Sequence, residues 1–556
     1  MPNPRRPSGR ILRIAIIGAG PRGLGAIEAV LRHGPPPGLR VEITLLDPLR
    51  PAGAGPNFAP QDSPLCLLNI ALRDLDLPPS PVGFPDFRDW LGPEGRDPDH
   101  FAPRARFGAW TAARLEALCD RLPGWLSLSR AGARVDGIAP AQGGWRLRAA
   151  GTALPVFDEV LLVAGQPPTR PDRQIALWQR HAARSGAELH AALPAEALLA
   201  AAKGWRGRTV AIRGLGLATL DALRVLTLGQ GGRMAAGGYI ASGAEPARIL
   251  PFSRDGLPPW PKPGTAALDR RFDLTPAEIA GFEQALRQAM ERPRRQVLTT
   301  LCAALAPPAT RILGLCDAQA GARKVATWLR VERNRPGTQE TRPGEAVLAH
   351  AIRMAEGAEP PDPGFVIGQI WRKLQPAFRR HFDLRQPEGR VAAALIGFDE
   401  GLKRYSYGPP LSVARELLAL IEAGLVSLRV AEDPDIGMVP GGWRLRQGRD
   451  HVDAPVLVDA VLPAPVVETV TDPLFTGLRK AGHLHALPET GGARTDCSGR
   501  LRDPEGKPRP GLSLLGRLAN GSVAASDSLH DCFGEGADRW AARVMAEAGT
   551  AALPQV

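Results

Sequence analysis

The stretch "RIAIIGAGPRGLGAIEAV", starting at Arg13, limits what this chain can fold into more than any other. An apolar run, Ile14 to Ile17, leads into Gly18, Gly20 and Gly23, and a helical pattern follows. Such a run reads as a strand buried on both faces of a parallel sheet. In a glycine triplet of this spacing the first residue allows a tight turn. The second lets a phosphate reach the backbone, and the third lets helix and strand pack closely. The free N–H groups and the dipole of the helix start then favour an anion. A second apolar run, "VEITLLD", ends at Asp47, where an acid binds a ribose hydroxyl of a dinucleotide.

A related pattern lies further on, in "RTVAIRGLGLATLDAL". The apolar segment Thr209 to Ile212 runs into Gly214 and Gly216, with Thr219 where a third glycine would stand. It reads as a second nucleotide turn, or as a βα turn of purely structural use. With 556 residues the chain is too long for one ordinary core. The expected fold is α/β, with two Rossmann-like dinucleotide-binding domains, the second inserted in the first. The first domain takes residues 1–203 and 393–556, and the second takes 204–392. Within the second, residues from about 268 to 392 turn Ala- and Arg-rich with helical period, as in "TPAEIAGFEQALRQAMERP", and read as a helical insertion. A late apolar strand, "LSLLG", is available to return and close the first domain. No internal repeat stands out beyond the two glycine motifs.

Composition narrows the partners. No apolar run reads as long enough to span a bilayer, and the basic start "MPNPRRPSGR" is followed by the first strand itself rather than by a secretory apolar segment. A cytoplasmic protein without a membrane partner is expected. The net charge of +12 raises nucleic acid as a ligand, but the arginines are scattered, as in "RARFGAW" and "IWRKLQPAFRRHF". With no zinc pattern or RNA-binding aromatic signature beside them, they read as a basic enzyme surface. The six cysteines form no CxxC, which argues against a zinc ribbon or a redox dithiol, and no metal is expected. Trp260, in "PPWP", reads as packing a domain seam.

Two dinucleotide turns in one chain suggest a resident FAD and a visiting nicotinamide cofactor that meet for hydride transfer. The sequence here resembles the two-dinucleotide-binding-domain flavoproteins known as FAD/NAD(P)-binding proteins, relatives of the class B flavin monooxygenases and the amino-acid N-hydroxylases. The likeness rests on "IIGAGPRGLGAIE", "GPNFAPQDSPLCLLNI", "HFAPRARFGAW", "VAIRGLGLATLDAL", "FSRDGLPP", "YSYGPPLSVARELLALIEAGLV" and "LGRLANGSVAASDSLHD", in that order along nearly the whole chain.

The resemblance implies that Gly18, Gly20 and Gly23 cradle the FAD pyrophosphate and that Asp47 holds the adenosine ribose. Gly165 and Gly516 would pass the flavin at two strand ends, and Asn69 would border the isoalloxazine or else cap a turn. Many flavoproteins carry an acid just after the last strand's glycine; Arg517 stands there instead. Gly214 and Gly216 would hold NADPH. Arg254 would clamp its 2′-phosphate, or be a plain surface residue. Arg104, in "FAPRARFGAW", is the candidate for a substrate carboxylate, against the same plain alternative. The implied activity is a monooxygenase that N-hydroxylates a small amine or amino acid through a hydroperoxyflavin, with molecular oxygen as co-substrate. A flavin reductase without oxygen transfer and a non-catalytic flavoprotein partner stay open.

Overall fold

The computed structural model describes residues 10–550 except 317–320, 388 and 525; the basic start of the chain, residues 1–9, lies outside them. The first sheet has six strands in the order β17-β18-β7-β1-β2-β3. In it β1 (Arg10–Ile17) runs parallel to β2 (Leu39–Leu46) and to β7 (Glu159–Leu162). Outside these lie β3 (Leu126–Ala131) and β18 (Pro508–Leu514), both parallel, and β17 (Arg500–Arg502), antiparallel. The predicted burial on both faces holds along β1. Ile14 and Ile16 face a helical layer that includes Leu24, Ile27 and Trp540. Ala15 and Ile17 face the other side, against Trp145, Leu147 and Phe157.

Those three aromatic and aliphatic residues come from an antiparallel meander of β4 (Val135–Ala141), β5 (Gly144–Ala149) and β6 (Thr152–Phe157), which ends where β7 begins. The second sheet is fully parallel, in the order β12-β9-β16-β8. It consists of β8 (Glu188–Ala191), β9 (Thr209–Arg213), β12 (Arg248–Phe252) and β16 (Val456–Asp459). Between β9 and β12 a small hairpin, β10 (Arg233–Ala235) and β11 (Gly238–Ile240), stands apart. A second meander, β13 (Asp435–Val439), β14 (Gly442–Gln447) and β15 (Asp450–Ala454), leads into β16 as the first leads into β7. The two meanders share a hexapeptide, "GGWRLR", at 143–148 and at 441–446, on or entering the central strand of each. Both tryptophans are buried, Trp145 against the first sheet and Trp443 against Trp178 and His181.

Strand pairing cuts the chain differently from the boundaries at 203 and 393. Glu188–Ala191 and Val456–Asp459 join the second sheet although both lie in segments given to the first domain. Each is only four residues long, and so short a stretch, ELHA in one case and VLVD in the other, carries no mark of the sheet it will join. The helical insertion also runs on, to the helix Leu411–Glu422. It fills the crossover from β12 to a stretch that rejoins the sheet through parallel bridges of Val426 with Ile249 and Glu432 with Ser253.

One helix of this insertion, Arg294–Leu315, is long and apolar enough by composition to cross a bilayer, which the reading of the apolar runs missed. It packs instead against the helices Pro276–Met290, Ala322–Asn334 and Pro363–Arg385, with Val297, Leu301, Leu305 and Ile312 fully buried. Trp260 packs into the same helical body, with Tyr405 at 4.9 Å and Phe365 at 6.3 Å between ring centres.

A buried ion pair fixes the first glycine helix, Pro21–His33, to the helix Arg104–Cys119. Glu28 accepts two hydrogen bonds from Arg114, at 2.6 and 2.7 Å, and neither side chain is more than 1% exposed. Arg114 also donates to the Pro78 carbonyl at 3.0 Å and stacks over Trp110. Removing one partner leaves the other charge buried and unpaired, at a cost of about 3–5 kcal/mol. Arg114→Met is therefore expected to lower the thermal unfolding midpoint sharply, and adding Glu28→Met to recover most of the loss in the same melting experiment.

Candidate functional site

The first glycine turn is set by backbone contacts. Gly18 has φ +113°, and a β-carbon there would overlap the carbonyl of Val163 on the neighbouring strand end. A β-carbon on Gly23 would overlap the carbonyl of Gly18. The helix Pro21–His33 starts at Gly20 with no side-chain cap, so its first-turn N–H groups are left for an external anion. Asp47 is fixed beside the turn: one carboxylate oxygen accepts from Ala19 N at 2.7 Å and the other from Leu49 N at 2.8 Å.

Two further glycines close the cradle from above. Gly53 N donates to Ala19 O at 2.5 Å, and a β-carbon on Gly55 would lie 3.3 Å from the Gly20 α-carbon. Sequence reasoning treated this segment as a functional loop without singling them out, although their spacing in "AGAGP" was visible.

The first sheet brings Gly165 and Gly516 to the same edge, each a few residues past the ends of the paired strands β7 and β18. Arg517, where an acid was expected, donates to Gln166 Oε1 at 2.8 Å and so ties the two strand ends together. Arg22 lies under Gly516 and is held by Asp531 Oδ2 at 2.6 Å and by Ser526 O at 2.9 Å. These groups are of the kinds a dinucleotide needs: backbone N–H groups at an uncapped helix start, a carboxylate beside the turn, and glycines past the strand ends.

Asn69 lies on the loop that follows, half-buried, and its side-chain amide has no hydrogen bond among the described residues. Its carbonyl accepts from Lys262 Nζ at 2.7 Å, and the same ammonium donates to the Gly408 carbonyl. Lys262 thus joins the first unit's loop, the segment after β12 and the bend between the last two helices of the insertion. Burial, reinforced by the charge of Arg372, brings its pKa down to about 7.

The second turn repeats the first in outline. Gly214 has φ +112° and donates to Phe252 O at 2.8 Å, and the helix Leu217–Leu226 starts at Gly216 without a side-chain cap. Thr219 occupies the third position, fully buried, with its hydroxyl unpaired among the described residues. Arg254 stands two residues past β12, exposed, with no hydrogen bond or ion pair among the described residues. The neighbouring Arg213 is engaged, at 2.6 Å from Asp172 and 3.2 Å from Asp459.

Arg104 is engaged within the chain rather than left free. Its guanidinium is paired with Asp221 on the helix Leu217–Leu226, so it ties the two nucleotide units together. Arg224 of that helix reinforces the seam by donating to the Leu65 carbonyl and pairing with Glu416 at 2.8 Å. Burial raises the Asp221 carboxyl to about 6, against the pull of both arginines. Its position in the sequence could not show that a carboxylate of the same chain would claim Arg104.

Comparisons with known proteins agree with this geometry. Residues 15–167 match the family described as FAD-NAD(P)-binding. The chain is an FAD/NAD(P)-binding oxidoreductase. It is related to the class B flavin monooxygenases and the amino-acid N-hydroxylases. A nitrosuccinic acid synthase of Aspergillus oryzae is 26% identical over 91% of this chain and 87% of its own length. An L-aspartate N-monooxygenase of Streptomyces cremeus, described as nitrosuccinate-forming, is 27% identical with the same coverage. Among solved structures, the reduced ornithine hydroxylase of Pseudomonas aeruginosa shares the fold: TM-score 0.50 and 14% identity, over 97% of this chain and all of that one.

Lys262 gives the oxidoreductase a pH signature. Its folded pKa lies below the ordinary lysine value, so the unfolded chain binds the proton first as pH falls. The stability is complete above the ordinary value near 10.5 and is lost as pH falls through about 7. Wild type should gain stability from pH 7 to pH 9, on the order of 1 kcal/mol per pH unit. Lys262→Met should show a flatter profile in denaturant titrations at matched pH.

Proposed function

We propose that this oxidoreductase is an NADPH-using flavin monooxygenase that N-hydroxylates the amino group of a small amino acid, with aspartate-like substrates favoured. The observation that carries the reading is the end-to-end likeness to two proteins described by oxidation of aspartate nitrogen or by its nitrosuccinate product, over 91% of this chain. Two glycine turns in one chain support it, since hydride transfer between two dinucleotides needs both.

In this reading Gly18, Gly20 and Gly23 receive the FAD pyrophosphate and Asp47 the adenosine ribose. Gly165 and Gly516 flank the flavin, and the free amide of Asn69 borders its ring. Gly214 and Gly216 receive the NADPH pyrophosphate, and the unpaired Arg254 reads its 2′-phosphate. When bound, FAD accepts a hydride from NADPH and activates molecular oxygen for transfer to an amine. The chain's own part is to bind, orient and exclude water. An amine must be unprotonated to act as a nucleophile, and burial disfavours its ammonium form as it does that of Lys262 beside Asn69.

Three measurements test these assignments. Gly20→Asp places a side chain and a negative charge at the pyrophosphate turn and should abolish flavin retention, read from the absorbance of purified protein. A variant that keeps full flavin moves the FAD site elsewhere. Arg254→Ala should raise KM for NADPH roughly 10- to 100-fold, the size of one charge-assisted contact, and leave that for NADH nearly unchanged. Equal effects on the two would remove Arg254 from the phosphate site. Finally, oxygen uptake with an amino-acid panel should rise with one member and yield its N-oxidised product. Uptake that yields only peroxide with every amine would make the protein a reductase.

A further inference from the structure

Around their glycine turns the two nucleotide units correspond residue by residue. In the first, Ile17 at the end of β1 pairs with Leu162 at the end of β7; in the second, Arg213 at the end of β9 pairs with Asp459 at the end of β16. The next residue of each neighbouring strand donates back across the pair, Val163 N to Ile17 O and Ala460 N to Arg213 O, both at 2.9 Å. Each turn then bonds to the strand on its other side, Gly18 N to Leu46 O at 2.9 Å and Gly214 N to Phe252 O at 2.8 Å. A β-carbon on Gly18 would meet the Val163 carbonyl, and one on Gly214 would lie 3.4 Å from the Ala460 carbonyl. Val163 thus matches Ala460, and two residues further on Gly165 matches Leu462.

The matched positions are opposite in character. No atom lies within 4 Å of where a β-carbon on Gly165 would stand, so that strand end is open. Leu462 fills the equivalent place with a branched apolar side chain that is 57% exposed, beside Val461 at 44%. Pro463 and Ala464 extend the exposed apolar run. In open α/β sheets ligands bind outside the carboxyl ends of the strands, and this run stands there, next to a nucleotide turn. Sheet order says which half of a dinucleotide reaches it. In the order β12-β9-β16 the turn follows β9, and Arg254 stands two residues past β12 on one side. With the 2′-phosphate end of NADPH over β12, its nicotinamide end runs over β16, towards Val461 and Leu462. The same segment leads back to the first unit. Arg170 N donates to Thr469 O at 2.7 Å and Thr471 N to Pro168 O at 2.8 Å, so the connections that carry Gly165 and Leu462 pair with each other.

We propose that Leu462, with Val461 beside it, is the apolar bed for the nicotinamide half of NADPH, where the first unit keeps an open glycine for FAD. The inference rests on the reading of the second glycine turn as the NADPH site. Covering these side chains removes apolar surface from water, a gain that does not depend on the 2′-phosphate. Leu462 therefore adds affinity for NADPH and NADH alike, whereas Arg254 separates the two.

The test is calorimetry on FAD-loaded enzyme with two probes. One is NADP+; the other is 2′,5′-ADP, which carries the same 2′-phosphate but ends before the nicotinamide half. Wild type should bind both. Leu462→Asn should weaken NADP+ roughly 10-fold, the scale of covering most of a leucine side chain, and Leu462→Met should restore it. Both variants should leave 2′,5′-ADP within about twofold of wild type, with flavin content and melting temperature unchanged, because the side chain is largely exposed. Arg254→Ala should instead weaken the two probes by a similar factor. Unchanged NADP+ affinity in Leu462→Asn would overturn the proposal. A parallel loss of 2′,5′-ADP would overturn it too, by placing Leu462 in the turn or in the fold. Gly216→Asp serves as the control on the turn itself: if that variant still binds both probes, the NADPH site lies elsewhere and the proposal goes with it.

Discussion

The carbonyl of Val163 sits where the β-carbon of any residue but glycine would lie at position 18. From that crossing the rest of the first unit takes its place. It lets β1 and β7 end side by side, with Val163 N donating to Ile17 O at 2.9 Å, and it turns the chain directly into the glycine helix. The strand that follows in space, β18, is tied in from beneath by Glu159, which accepts from Ser513, Trp540 and Arg543 at 2.6 to 2.9 Å. That carboxylate is buried, and its Oε1 takes all three hydrogen bonds, so its charge organises two strands and the C-terminal helix Glu535–Thr550 around one point. A phosphate-binding turn needs backbone placed without slack, and here the placement is enforced by neighbours that have no freedom to move.

How much could be read beforehand follows from how local each constraint is. The glycine triplet, its flanking strand and Asp47 were legible because a tight turn restricts a few adjacent residues directly. The four-residue strands β8 and β16 were not, since their sheet is chosen by pairing across long stretches of chain. Arg104 and Arg254 show the same limit among side chains. Both read as candidates for a ligand's anion, yet Asp221 claims the first and no carboxylate among the described residues claims the second. The repeated "GGWRLR" was in plain view and went unread, because six residues carry weight only once both copies are seen to occupy the same strand of a meander.

The positive balance of the chain also takes on a different meaning in three dimensions. Arginines that looked scattered are distributed over seams: Arg104 and Arg224 between the two nucleotide units, Arg372 between the insertion and the first unit, and Arg539 between the C-terminal helix and Asp383. Guanidinium groups suit such seams because they can hold a carboxylate and a backbone carbonyl at once.

The matching meanders imply that one architectural plan was used twice, and that both copies were enlarged at the same place. In the first copy the crossover from β2 to β3 swells into the long loop that carries Asn69; in the second, the crossover from β12 swells into the helical body of the insertion. Both enlargements thus sit at one equivalent joint in each copy, away from the glycine turns. A lineage could lengthen or trim those two joints while the turns themselves stayed untouched.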